Sequence, residues 1–189
     1  MTKQEARKVF KQNRAQLSRR DLLKMNDLLL IQFQRLILPY VNVIHSFIPL
    51  QDQKEPDPIL MIDYLKFKNV NMKVVYPKID PENFSMKNIV EDDNTLFELN
   101  KYGIPEPRNG IIINEKEIDL SIVPLIAFDL FGNRVGYGKG YYDRFISKCR
   151  FNMIKIGISY FPPIDKIEDV EEFDKKLDFC ITPDHIYAF

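Results

Sequence analysis

A chain of 189 residues, 45% of them hydrophobic, is the size of one domain and carries enough apolar material for a substantial core. Its 27 basic and 27 acidic residues cancel, which excludes a global positive field of the kind that gathers nucleic acid or anionic membrane and leaves anion binding to a local site. Cys149 and Cys180 lie far apart with no CxxC pair, so neither a disulfide framework nor a zinc site is expected, and a reducing cytoplasm is the simple expectation. Charges from Lys3 onward and the lack of a long apolar run leave a signal peptide and a membrane anchor unsupported.

Lys3 to Gln16 lacks Pro and Gly and spaces Lys3, Arg7, Lys11 and Arg14 near steps of four, which predicts a helix with a basic stripe; such a stripe is also the ordinary form of a solvated face. Ser18 and Asp21 resemble a capping box, after which Leu22, Met25, Leu29, Phe33 and Leu36 recur at helical spacing up to Pro39. Val41 to Ile48 reads as a strand closed by Pro49. Asp57 and Pro58 read as the cap and first position of a helix over Ile59 to Phe67, and Met72 to Tyr76 as a short strand. Pro77 to Gly110 is polar and weakly periodic, which predicts loops with short strands. Asp119 to Val123, Met153 to Ile158 and Leu177 to Ile181 read as strands, the last of these ending the series, and Tyr141 to Cys149 as a helix. The alternation predicts one α/β domain over residues 1–189, with helices on both faces of a sheet.

The chemistry is concentrated in Asp129 to Arg144, where Gly132, Gly136, Gly138 and Gly140 make up four of the chain's seven glycines. Glycines admit positive φ and close approach of peptide N–H groups, and this loop runs into a helix N-terminus, the features of a phosphate cradle. Arg134 and Lys139 would add charge-assisted bonds, and Asp143 a hard oxygen for magnesium. Neither the Walker pattern nor the dinucleotide fingerprint fits, since Gly140 follows Lys139 and Asp143 stands where a third glycine belongs. A flexible surface turn is the bland alternative. His45 and His185 stand alone in sequence and receive no role, nor do the cysteines.

Pro124-Leu125-Ile126-Ala127-Phe128-Asp129, followed by Gly132-Asn133-Arg134, Gly136-Tyr137-Gly138 and Gly140-Tyr141-Tyr142-Asp143-Arg144, resembles the signature of the 5-formyltetrahydrofolate cyclo-ligase family. Lys3 and Arg7 are similar to the family's N-terminal Lys-x-x-x-Arg, Gly103 to Pro107 to its Gly-x-x-Glu-Pro, and Leu177-Asp178 with Thr182-Pro183 to its C-terminal strand. The resemblance implies a three-layer α/β/α fold with a mostly parallel, mixed central sheet, Rossmann-like or NagB-like. It implies an ATP site at Lys3, Arg7 and the run Arg134, Val135, Gly136, Tyr137, Gly138, Lys139, Gly140, Tyr141 and Tyr142. Folate would contact Arg7, Leu50, Glu55 and Tyr137 to Tyr141, with Glu55 accepting from the ring N–H donors and Leu50 packing on it, in a loop flanked by Pro49 and Pro56. Asp143 and Asp178 would hold magnesium, and Lys139 and Arg134 would neutralise charge during the reaction.

The activity implied is ATP- and magnesium-dependent closure of 5-formyltetrahydrofolate to 5,10-methenyltetrahydrofolate, with ADP and phosphate released through an iminium phosphate. The expected partners are these small molecules only, without nucleic acid or membrane, on a monomer or weak homodimer. A non-catalytic folate- or nucleotide-binding relative and a sugar-phosphate enzyme on a related fold are the alternatives. Neither would turn ATP over in step with folate.

Overall fold

A computed structural model describes residues 1–189. Its first helix, α1 (Lys3–Gln16), opens on a capping box in which Thr2 Oγ1 accepts from the Glu5 N–H and the Glu5 carboxylate accepts from the Thr2 N–H. Two amides that a helix start leaves unpaired are thereby satisfied. The second helix, α2 (Arg19–Gln34), begins in the same way on Ser18 and Asp21. It buries Leu29 and Phe33 completely and ends at Gln34, short of Leu36, with the Arg35 N–H capping on the Gln32 and Phe33 carbonyls.

The chain continues through β1 (Val43–His45), a 3-10 turn at Gln51–Gln53, α3 (Ile59–Lys68), β2 (Lys73–Asp80) and β3 (Ser85–Val90). An outlying hairpin of β4 (Phe97–Leu99) and β5 (Pro105–Pro107) follows, then β6 (Ile112–Ile113) and β7 (Leu120–Val123). A small ladder of β8 (Ala127–Phe128) and β9 (Arg134–Val135) leads to α4 (Tyr141–Lys148), and β10 (Ile154–Ile158), β11 (Phe179–Ile181) and β12 (Ile186–Ala188) complete it. The start of α3 lies one residue later than the sequence reading: Pro58, with helical dihedrals, is the N-cap whose carbonyl accepts the first helical bonds, and the Asp57 carboxylate accepts from the Ile59 N–H at 3.0 Å just ahead of it.

Eight strands form one sheet in the order β12-β11-β10-β7-β1-β2-β3-β6. Its centre, β11 to β2, is parallel, and the flanking β12, β3 and β6 are antiparallel. Alternation along each strand sends Ile44, Val74, Leu120, Ile122 and Ile156 into a core under α2 and α3. It sends Val43 and Val75 to the other face, where they meet Phe145 of α4. Both faces are covered, which gives three layers and explains why the central strands are largely apolar, with His45 and Ser121 buried among them and paired with each other.

Four further sequence readings shift. Regular pairing of the first strand covers only Val43–His45, because beyond it the chain bends out to wall a cleft. The second strand runs on through Pro77 to Asp80. Pro77 is tolerated because β1 pairs only as far as Val75, leaving Pro77 on a local edge beside β3. The tract 77–110 is therefore mostly hairpins, which its polar face concealed. Finally, β12 follows β11 as an antiparallel edge strand. No helix is long and apolar enough to cross a membrane.

Candidate active site

Consecutive parallel strands leave β1 in opposite directions, to β2 through α3 on one face and from β7 to β10 through α4 on the other. Such a reversal opens a crevice at the carboxyl ends of the strands. A cleft of about 930 Å³ lies there, walled by Phe47 and Ile48 after β1, Pro77 and Ile79 of β2, and Pro124 after β7. Its volume suits ligands of nucleotide or folate size.

The glycine-rich loop joining β9 to α4 forms one side. Gly138 has φ +90° and Gly140, the N-cap of α4, φ +68°; both are left-handed conformations that other residues avoid. A Cβ on Gly138 would stand 3.3 Å from Arg7 Nη2, and one on Gly140 3.0 Å from Arg144 Nη1. The left-handed backbone therefore calls for glycine at both positions, whereas the two guanidinium groups need give way by only a few tenths of an ångström. Lys139 between them is exposed, makes no ion pair and lines the cleft.

α1 lies across this loop. Arg7 Nε donates to the Gly136 carbonyl at 2.8 Å, Lys11 Nζ sits 5.0 Å from the centre of the Tyr137 ring, and Lys3 Nζ pairs with Asp174 at 2.6 Å. The basic stripe thus faces the loop, with Lys3 and Arg7 half-buried and Lys11 exposed at its edge. On the far side, Arg144 Nε donates to the Phe84 carbonyl at 2.6 Å and its Nη2 to the Lys139 carbonyl at 2.6 Å, tying the β2–β3 turn to the loop. Phe84 is held there at φ +48°, a conformation costly for an aromatic residue.

Opposite the loop, Glu55 is 8% exposed. Its Oε2 accepts from the Leu50 N–H at 2.8 Å and its Oε1 from the Tyr137 hydroxyl. The loop between Pro49 and Pro56 is fixed by Lys54, which adopts φ +45° and donates from Nζ to the last carbonyls of α1, Ala15 at 2.7 Å and Leu17 at 2.6 Å. Burial, followed by the charge of Glu55, pushes the Tyr137 phenol above its ordinary range. Burial does the same for Tyr142, whose hydroxyl has no hydrogen-bond partner.

Lys3, Arg7, Leu50, Glu55, Arg134, Gly136 to Tyr142 and Asp143 all line this cleft. Val135 lies beneath it, fully buried among Ala6, Ile126 and Ala127. Two positions differ from the expected arrangement. The Arg134 guanidinium is 5% exposed as a side chain, with Nη2 on Asp143 Oδ1 at 2.8 Å and Nη1 on the Lys175 carbonyl, so its fork braces the loop from below. Asp178 pairs with Lys155 through both the side chain and the backbone N–H, each at 2.7 Å, and lines a separate depression. Asp143 and Asp178 therefore do not share a cavity, and no group of three or more His, Cys, Asp or Glu is assembled for a metal.

Other parts of the signature hold structure. Asp129, fully buried, accepts from the N–H groups of Phe131, Asn133 and Ile167 and from the Asn133 amide, shaping the turn before β9. Glu106 accepts from the Ile79 N–H and the Asn100 amide, fastening the β4–β5 hairpin to β2. His45 is buried against Phe145 with ring centres 4.4 Å apart, and burial lowers its pKa to about 3. Sequence reasoning assigned no role to Arg144, although it closes the glycine motif, nor to Asp169 and Asp174 on the rim, which neither periodicity nor motif marks.

The 5-formyltetrahydrofolate cyclo-ligase family model matches residues 1–183. A probable 5-formyltetrahydrofolate cyclo-ligase of Schizosaccharomyces pombe is 40% identical over 103 residues, covering 47% of this chain and 50% of the relative. The 5-formyltetrahydrofolate cyclo-ligase of Mycoplasma genitalium is 33% identical over 99 residues, covering 52% of this chain and 48% of the relative. The chain thus spans about half the length of these curated relatives in the matched stretch. Among solved structures, the 5,10-methenyltetrahydrofolate synthetase of Aquifex aeolicus superposes with a TM-score of 0.81 at 25% identity, covering 100% of this chain and 93% of that one.

Proposed function

The chain belongs to the 5-formyltetrahydrofolate cyclo-ligase family, and from that premise we propose that it closes 5-formyltetrahydrofolate to 5,10-methenyltetrahydrofolate at the expense of ATP. The observation that carries the reading is the meeting, in one cleft, of a glycine loop flanked by Lys139, Arg7 and Lys3 with a buried carboxylate, Glu55. One end suits a polyphosphate and the other the adjacent N–H donors of a pterin edge.

An N-formyl carbonyl is a weak electrophile because the nitrogen lone pair feeds it. In the proposed sequence the formyl oxygen attacks the γ-phosphorus, the bond to ADP breaks, and an iminium phosphate results. N10 then adds to the activated carbon and loses its proton, and the carbon–oxygen bond breaks to release phosphate. Transfer of this kind asks for positioning and charge neutralisation more than for a protein nucleophile. Lys139 is the cation free to follow the γ-phosphate, Arg7 and Lys3 reach the rest of the chain of phosphates, and Arg134 acts by holding Asp143 and the loop. The packed side chains of Phe47, Ile48 and Leu50 give the ring an apolar wall.

Magnesium, when bound, supplies further neutralisation of the phosphates. Asp143 fits as its one protein carboxylate, since Oδ2 has no partner, and the phosphate oxygens and water would complete the shell. We place the protein in the cytoplasm as a single domain over residues 1–189, a monomer or weak homodimer.

The experiment is to follow absorbance of the methenyl product while protein, 5-formyltetrahydrofolate and magnesium are mixed and ATP is added last. An ATP-dependent rise is expected. A flat trace from folded protein that still binds ATP would overturn the reading in favour of a binding protein.

A further inference from the structure

Two members of the basic stripe on α1 have no part in the phosphate reading, and one of them is buried. Arg14 is only 2% exposed, the largest side chain to be so fully enclosed. Its Nη2 donates to the Leu125 carbonyl, while Nε and Nη1 have no hydrogen-bond partner and no carboxylate lies within ion-pair distance. A buried cation with two idle donors is costly and needs a counter-charge. Lys11, one turn earlier on α1, lies 5.0 Å from the Tyr137 ring centre, and Lys54, next to Glu55, donates to the Ala15 carbonyl at 2.7 Å, so the end of α1 that carries Arg14 abuts both partners of the Tyr137–Glu55 bond. Burial raises the pKa of the Tyr137 and Tyr160 phenols; the Arg14 charge acts against that rise and the Glu55 charge adds to it. The Tyr137 hydroxyl donates to Glu55 Oε1, and the Tyr160 hydroxyl to the Glu55 carbonyl at 3.3 Å. Both phenols thus bond Glu55 beside the end of α1 that carries Arg14, and of these four residues only Glu55 and Tyr137 reach the cleft.

We propose that Arg14 is a positioning residue of the folate pocket, the buried counter-charge of Glu55, which acts through the Tyr137 hydroxyl to hold the carboxylate in the pose that accepts ring N–H donors. The inference rests on the reading of Glu55 as the folate acceptor and adds to it a residue that never touches substrate. The Arg14 charge favours the phenol turning its oxygen toward the guanidinium, so that the phenolic proton points to Glu55 and the remaining carboxylate lone pairs face the cleft. A purely structural Arg14, anchoring the end of α1 to Leu125, would bear equally on every ligand.

The test uses the full chain and calorimetric titration with 5-formyltetrahydrofolate and, separately, a non-hydrolysable ATP analogue. Arg14→Gln keeps a donor for Leu125 and removes the charge. It should weaken folate binding about tenfold, with the ATP analogue held within about twofold of wild type and the loss appearing in KM for folate more than in kcat. Arg14→Lys, which keeps the charge, should recover much of that affinity. In a Glu55→Gln background, Arg14→Gln should add little, because the pair acts as one unit. Equal weakening of both ligands, unchanged folate affinity, equal losses in the Gln and Lys variants, or additive losses with Glu55→Gln would each overturn the proposal. Should Arg14→Gln not fold, Arg14→Lys decides alone: a small folate-specific loss that disappears in the Glu55→Gln background supports the assignment, and loss of both ligands, or a folate loss as large in the Glu55→Gln background, ends it. Wild-type protein that binds the ATP analogue and no folate would instead defeat the reading of the pocket itself, and this proposal with it.

Discussion

Tyr137 and Glu55 stand 82 positions apart in the chain and share one hydrogen bond across the cleft, the phenol donating to the carboxylate. This bond joins the glycine loop to the loop after β1, so the phosphate side and the pterin side of the cleft are one mechanical unit. Tyr137→Phe removes the donor while keeping the ring under Lys11. It should raise KM for folate about five- to tenfold, the range for leaving a buried acceptor short of a partner, with KM for ATP changed less. Steady-state kinetics with each substrate varied in turn will check this, and equal shifts in both constants would contradict the division of the cleft.

Lys139 is exposed and unpaired, so Lys139→Ala should leave thermal unfolding unchanged while lowering kcat/KM for ATP by about ten- to a hundredfold, as expected for losing one cation at a transferring phosphoryl group. Gly138→Ala makes the complementary case. It forces a side chain into the left-handed region and against Arg7 at 3.3 Å, and so should weaken ATP binding by displacing the loop and not by removing charge. A Gly138→Ala enzyme with wild-type ATP kinetics would show that the positive φ is incidental to the site.

The two aspartates separate under the same kind of test. Asp143→Asn should raise the magnesium concentration needed for half-maximal rate. Asp178→Asn, which loses an ion pair with Lys155 in another depression, should alter stability slightly and leave the magnesium titration in place. Parallel displacement of both titrations would mean that the two carboxylates come together around the ion when substrates bind.

Much of this site was legible because glycine and helix caps leave local marks. Gly138 and Gly140 declare a left-handed loop, and Ser18 with Asp21 declares the start of α2. What escaped depended on distant partners. The spacing of Arg14 along α1 is also that of a solvent stripe, and only long-range packing of the helix, with the distant Leu125 carbonyl as its partner, buries it. Arg134 has the composition of a phosphate ligand, yet the Lys175 carbonyl and Asp143 occupy its fork. Pro77 argued against a strand until the early end of β1 left its side of β2 free. In each case a long-range neighbour decided a role that the local pattern had assigned otherwise.

His45 ties stability to pH. Burial lowers its pKa to about 3 from an ordinary 6.5, and its Nδ1 faces Ser121 Oγ at 3.1 Å while Nε2 has no partner. The folded state therefore holds the ring neutral while the unfolded chain takes up a proton below pH 6.5. Unfolding gains that proton, so this contribution destabilises the fold progressively as pH falls from 6.5 toward 3, at up to about 1.4 kcal/mol per pH unit, and is absent above 6.5. His45→Phe can keep the stacking on Phe145 and has nothing to titrate. Urea unfolding of both proteins at pH 7.5, 6, 5 and 4 should show the wild type losing ground to the variant with each step into acid. Curves that stay parallel across that range would mean the buried imidazole finds a way to accept its proton in the folded state, most directly by drawing water to Nε2.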